Sequence, residues 1–174
     1  MLTTPLVSVI YVSYNCTELL LNSVDSVRRH CTGIPFEIII VDNASSASEI
    51  PRLRQAAEQD DRILLIVSEK NLGFGQANNL GSSNAKGKYL FFLNPDTLLL
   101  NDAIGIFCRF LESSSDEVAA CGGNLLKPDH SPNDSYGNFP GVLQEICKAG
   151  VGVRFLFNSY YEKDISIASP VQTG

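Results

Sequence analysis

The chain has 174 residues, 44% of them hydrophobic and 18% charged, with a formal net charge of −6. A length near 150 residues already buries roughly 68–70% of the unfolded surface, so one globular domain with a real core is expected. The acidic balance excludes a broad electrostatic grip on nucleic acid or anionic lipid, and no apolar run approaches the ~18 residues of a membrane span.

The first residues, Met1 to Pro5, lack the basic region and apolar stretch of a signal peptide, so a cytoplasmic location is expected. Val7–Val12 then reads as a first strand. Leu20, Val24 and Val27 follow at i, i+4, i+7 and predict one apolar helix face. Phe36–Val41, β-branched and nearly unbroken, predicts a second strand, and Ile50, Leu53 and Ala57 mark a second helix. Ile63–Val67 and Lys88–Leu93 predict the third and fourth strands; Val118–Cys121 predicts a weaker fifth after a helix carrying Ile104, Phe107 and Leu111. Strands this apolar suit burial on both faces, and their alternation with helices predicts an α/β sandwich around a mostly parallel sheet. After about residue 122 the pattern breaks up in Gly, Pro and Asn. The five cysteines, odd in number and widely spaced, read as reduced structural thiols.

Ligands of open α/β sheets gather at the carboxyl ends of the strands. The turn after the first strand, Ser13-Tyr14-Asn15-Cys16-Thr17, has no glycine, so the dinucleotide fingerprint fails there. Gly73-Phe74-Gly75 has Asn78 where the third glycine belongs, and no P-loop motif occurs. Neither histidine has a partner at metal or triad spacing, and hydrolase motifs are missing. After the second strand, Asp42 suits a ribose hydroxyl or a base N–H, or equally an Asx-turn with Ser45, Ser46 or Ser48 capping the next helix. The stretch from Glu69 to Gly81, dense in amides and glycine, suits a helix start near a phosphate or sugar; its amides equally suit bonds to loop backbone. The fourth strand stops at Asn94-Pro95-Asp96. Asp96 is either a single-carboxylate ligand for a hard divalent cation or a turn or cap residue ahead of Asn101-Asp102.

Taken in order, Val7–Asn15, Glu37–Ser46, Asn71–Gly81 and Gly87–Thr97 strongly resemble the blocks of family 2 glycosyltransferases, nearest to the rhamnosyltransferase-like branch. The resemblance covers roughly residues 5–127. It implies a GT-A fold, a Rossmann-like three-layer sandwich, that binds a nucleoside diphosphate sugar (dTDP- or UDP-linked) and transfers the sugar with inversion. The acceptor would be a saccharide or a polyprenyl-linked glycan in cell-surface polysaccharide synthesis, with no nucleic acid partner.

By the same resemblance Ser13, Tyr14 and Asn15 line the nucleotide pocket and Asp42 contacts the base. Asn71, Gly73 and Asn78 lie along the ribose, diphosphate or sugar, and Asp96 holds Mg²⁺ or Mn²⁺. Asn94 stands where the Asp-x-Asp form has its first acid, and is expected on a ribose hydroxyl. Inversion also needs a general base. Past Asp134 only Glu145, Glu162 and Asp164 remain, none in a recognisable acidic motif. The expectation is a nucleotide-sugar-binding region over 1–127 and the start of an acceptor-side region over 128–174. The whole would be a fragment of a longer transferase that lacks the base, with peripheral membrane contact left to regions outside it. The rival readings are a non-catalytic nucleotide-sugar-binding module and a flavodoxin-like or dinucleotide-binding oxidoreductase domain.

Overall fold

In the computed structural model, residues 4–115 and 117–133 are described. The elements, numbered in chain order, are β1 (Val7–Ser13), α1 (Thr17–His30), β2 (Phe36–Asp42), α2 (Ile50–Gln59), β3 (Ile63–Val67), α3 (Phe74–Ser83), β4 (Tyr89–Phe92) and α4 (Ala103–Ser113). Four strands form one parallel sheet in the order β3-β2-β1-β4. The chain divides into two units, Met1–Gly123 and Asn124–Gly174. The described part of the second unit is a short antiparallel pair, β5 (Leu125–Leu126) with β6 (Pro132–Asn133), joined through a turn that Lys127 N–H closes on Ser131 C=O.

Alternation of side chains along the strands builds two cores. Val7, Val9 and Tyr11 of β1, with Phe36, Ile38 and Ile40 of β2, meet Leu20, Val24 and Val27 of α1, Leu53 of α2 and Ile104 of α4. Each such aliphatic side chain, fully buried, contributes about 1.5–3 kcal/mol. The intervening positions Ile10, Ile39 and Val41 face the other way, onto Ala77 of α3. Here α3 comes close: a β-carbon on Gly81 would stand 2.7 Å from Ile10 Cγ2.

The strand order explains why α3 is the one helix on that face among the described residues. The chain moves outward from β1 to β2 to β3, then returns past both to place β4 on the far side of β1. Parallel crossovers are almost always right-handed, so reversing direction moves the connecting helix to the opposite face. The segments leaving β1 and β4 turn to the same face, where α1 and α4 pack, whereas the segment leaving β3 leads to α3 on the other.

Two expectations need correction. Val118–Cys121 forms no strand: the segment is exposed and finds no ladder partner among the described residues. Nor is β4 covered on both faces. It is an edge strand among the described residues, and while Tyr89 and Phe91 turn to the larger core, Leu90 and Phe92 are 43% and 52% exposed. Its aromatic run reads as buried because apolar content reports the two faces together, whereas α3 spreads over β1 and β2 and stops short of β4.

Asp60, after α2, accepts from Arg62 and from Arg28 of α1, and so ties α1 to the approach to β3. The Arg62 guanidinium, with Arg28 behind it, holds the Asp60 carboxyl down to about 2 from an ordinary 3.8. A carboxyl lowered on folding stabilises above its unfolded pKa and loses that contribution as pH falls through the folded value. Asp60→Asn is expected to lower stability at neutral pH by roughly 1 kcal/mol, a figure discounted because both arginines reach solvent. Urea unfolding of the two proteins should converge between about pH 4 and pH 2. Gly81→Ala should cost about 1–3 kcal/mol at every pH, because its methyl must displace Ile10.

Candidate active site

Four loops leave the carboxyl edge of the sheet, and short polar side chains fasten three of them to one another. The parallel ladder runs one step past the strands: Asn43 N–H donates to Ser13 C=O at 2.8 Å, and Ser68 N–H to Asp42 C=O at 2.8 Å. Ser13 and Asp42 are register neighbours and both are buried. The Ser13 hydroxyl lies 3.6 Å from Cys16 Sγ. Tyr14, by contrast, is 53% exposed.

Asn15 adopts a left-handed backbone, φ 53°, a conformation that Asn tolerates better than most residues. It serves the scaffold with both ends: its backbone N–H donates to Ser45 Oγ at 2.9 Å, and its Oδ1 accepts from Ser46 N–H at 2.8 Å. The loop after β2 is thereby clipped to the loop after β1. That loop also holds Ala44 at φ 69°, which costs an alanine about 1–2 kcal/mol. Strain of this kind persists only where the surroundings impose it.

Asp42 uses one carboxylate oxygen locally. Its Oδ2 accepts from Ser45 N–H at 3.1 Å, the Asx-turn that its sequence allows. Its Oδ1 is buried and has no hydrogen-bond partner. A buried acceptor left unpaired costs about 1–3 kcal/mol; among the described residues only Thr17 Oγ1, at the start of α1, shares that state. The expected serine caps are missing from α2, whose N-cap is Glu49; that carboxylate instead receives Thr17 N–H at 3.0 Å at the start of α1.

Sequence reasoning assigned no role to Asn43, which is buried. Its Oδ1 accepts from Leu72 N–H at 2.8 Å and its Nδ2 donates to Asn71 Oδ1 at 2.9 Å. Asn71 Oδ1 accepts in turn from Gly73 N–H at 2.9 Å. Gly73 takes φ 78° and ψ 162°, a region essentially closed to other residues, and α3 starts directly after it. Asn78 Nδ2 donates to Phe74 C=O at 3.0 Å within the same helix.

At the end of β4, Leu93 N–H donates to Ile10 C=O and Thr97 N–H closes the turn on Asn94 C=O at 3.1 Å. Asn94 and Asp96 stand exposed on this turn, and among the described residues no ion pair engages Asp96. The cap of α4 is Asp102, whose Oδ1 accepts from Gly105 N–H at 3.1 Å. Asp96 is therefore the turn residue of the two, and its carboxylate is open to a ligand. No cluster of three or more His, Cys, Asp or Glu side chains that could hold a metal ion occurs among the described residues.

The family model for glycosyl transferase family 2 matches residues 8–159. The chain belongs to that family. A relative in Bacillus subtilis (strain 168), named "Putative teichuronic acid biosynthesis glycosyltransferase TuaG", is 32% identical over 139 residues, which cover 80% of this chain and 55% of that protein. An uncharacterized glycosyltransferase of Rickettsia felis is 38% identical over 145 residues, 79% of this chain and 24% of that one. The chain thus spans between a quarter and a half or so of the length of these relatives. Among solved structures, the mannosyltransferase PcManGT from Pyrobaculum calidifontis, in complex with GDP-Man and Mn²⁺, superposes with a TM-score of 0.51 at 24% identity, over 57% of this chain and 30% of that one. Residues 1–349 of S. aureus TarS in complex with UDP-GlcNAc give a TM-score of 0.53 at 20% identity, over 61% and 31%. The fold is GT-A, as the motif series implied.

The loop clamp can be tested without substrate. Asn43→Ala strands Leu72 N–H and releases Asn71, and should lower the stability read by urea unfolding by about 1–3 kcal/mol. Asn71→Ala leaves the half-buried Leu72 bond intact and should cost less.

Proposed function

We propose that the chain carries the donor side of an inverting glycosyltransferase that takes a nucleoside diphosphate sugar. The sugar passes, on the cytoplasmic side, to a saccharide or polyprenyl-linked acceptor in cell-surface polysaccharide synthesis. The observation that carries this reading is the buried, unpartnered Oδ1 of Asp42 at the carboxyl edge of the sheet. A nucleobase N–H supplies the donor that this oxygen lacks. With Oδ2 already held by Ser45, one oxygen remains, which suits the single imide N–H of uracil or thymine better than the paired N–H groups of guanine. UDP- and dTDP-sugars are therefore the favoured donors, and the dTDP case agrees with the rhamnosyltransferase-like motif series.

The other assignments follow the loops. The exposed Tyr14 ring offers a face to the base, beside Ser13 and Asn15. Asn71, Gly73 and Asn78 border the ribose and diphosphate, and the first turn of α3, whose N-cap has no side-chain bond, presents free N–H groups to an anion. Asn94 takes a ribose hydroxyl. A hard divalent cation often binds through one or two carboxylates plus phosphate and water, so a single open carboxylate at Asp96 fits Mg²⁺ or Mn²⁺. When bound, the ion neutralises charge on the departing diphosphate. With Asp42 and Asp96 both on the donor, the base that deprotonates the acceptor is a third group, which we place outside the described residues.

Calorimetric titration with UDP, dTDP and GDP, with and without Mn²⁺, tests the assignment. UDP or dTDP should bind more tightly than GDP, Asp42→Ala should weaken binding about ten-fold or more, and Asp96→Ala should abolish the gain from Mn²⁺. Strong nucleotide binding that ignores both Mn²⁺ and Asp96→Ala would remove the metal from this reading. Binding without sugar transfer in the full-length protein would make it a nucleotide-sugar-binding module.

A further inference from the structure

Beneath the Asn94–Asp96 turn, α1 carries two fully buried serines on the side facing the sheet, Ser23 and Ser26, among leucine and valine. Buried hydroxyls on an apolar helix face need partners, and these find them in the segment that leaves the turn. Ser23 Oγ donates to Thr97 C=O, and Ser26 Oγ accepts from Leu99 N–H at 2.9 Å. Both bonds join residues more than seventy positions apart in the chain.

The proton directions can be worked out. A carbonyl only accepts, so the single Ser23 hydroxyl proton goes to Thr97 C=O. The 2.9 Å contact between Ser23 Oγ and the Tyr11 hydroxyl must then run from Tyr11 to Ser23. By the same reasoning the Ser26 proton goes to Ser23 C=O at 2.7 Å, which leaves its oxygen free to accept from Leu99. Every hydroxyl proton is used: one arm runs from Tyr11 through Ser23 to Thr97 C=O, and the other from Leu99 N–H through Ser26 to Ser23 C=O.

We propose that Ser23 and Ser26 are positioning residues for Asp96. The turn is held at its start by Leu93 N–H on Ile10 C=O, and closed by Thr97 N–H on Asn94 C=O. Fixing Thr97 C=O and Leu99 N–H to α1 adds the second anchor, so the exposed carboxylate is carried on backbone restrained at both ends. This rests on the reading of Asp96 as the carboxylate that holds the metal-diphosphate. Groups that orient a ligand without touching the metal typically change its affinity about 10–100-fold when removed. Tyr11 provides an internal control: Tyr11→Phe removes a buried donor but leaves Ser23 free to donate to Thr97.

The test compares Ser23→Ala, Ser26→Ala, Tyr11→Phe and Asp96→Ala in the whole chain. Amide hydrogen exchange of the Asp96–Leu99 segment should speed about ten-fold in either serine variant and not in Tyr11→Phe, although all three lower the melting temperature. In the same variants the gain in UDP or dTDP affinity produced by Mn²⁺ should fall about ten-fold, with metal-free affinity unchanged. Exchange in this segment equal to that of Tyr11→Phe overturns the positioning role and assigns the serines to stability alone. If Asp96→Ala keeps the full Mn²⁺ gain, the metal reading fails; the exchange result still decides whether the serines hold the turn.

Discussion

The double pairing of β1 is the constraint on which the rest depends. It bonds to β2 along its whole length and to β4 along its first half, and helices pack on both its faces. That burial leaves no freedom in register, since a slip of one residue would turn Val7, Val9 and Tyr11 away from the larger core. Because the register is set, Ser13 and Asp42 lie side by side, and the end of β4 is held to the middle of β1 through Leu93 and Ile10.

The loops above this edge are stiffened by small polar side chains. Asn15 and Asn43 reach backbone groups of neighbouring loops, Asn71 joins the Asn43 amide to Gly73 N–H in its own loop, and Ser23 and Ser26 brace the segment after β4 from below. Each bond contributes only about 0.5–1.5 kcal/mol net, but an unpaired buried amide costs more than that, so the set resists piecemeal loss. Asp42 Oδ1 stands out because, with Thr17 Oγ1, it is one of two buried side-chain polar atoms among the described residues left without a partner.

Much of the fold was legible because apolar periodicity reports burial directly. Val7–Val12, Phe36–Val41 and Ile63–Val67 fell within a residue of the observed strands, and the Leu20, Val24, Val27 stripe is the buried face of α1. Val118–Cys121 misled because four small apolar residues say nothing about whether a ladder partner exists. At the edge, the motif series named the residues at the strand ends but not the bonds joining them. Asn43 is linked to Asn71, and Ser23 to Thr97, by contacts that no local spacing rule encodes. The serines of α1 in particular read as neutral helix filler until the chain returns over them.

The pairing of Val7 with both Phe36 and Tyr89 has a kinetic side as well. Contacts distant in sequence carry a larger loop-closure cost, and they tend to form late. The β1-α1-β2-α2-β3 segment can assemble from neighbours in the chain, whereas β4 must await α3 and then find the far edge of β1. On this account folding delivers Asp42 early and Asp96 last. Damage to the β1–β4 junction would then leave a protein with most of its secondary structure but without the turn that carries Asp96, a state that bulk circular dichroism would mistake for native.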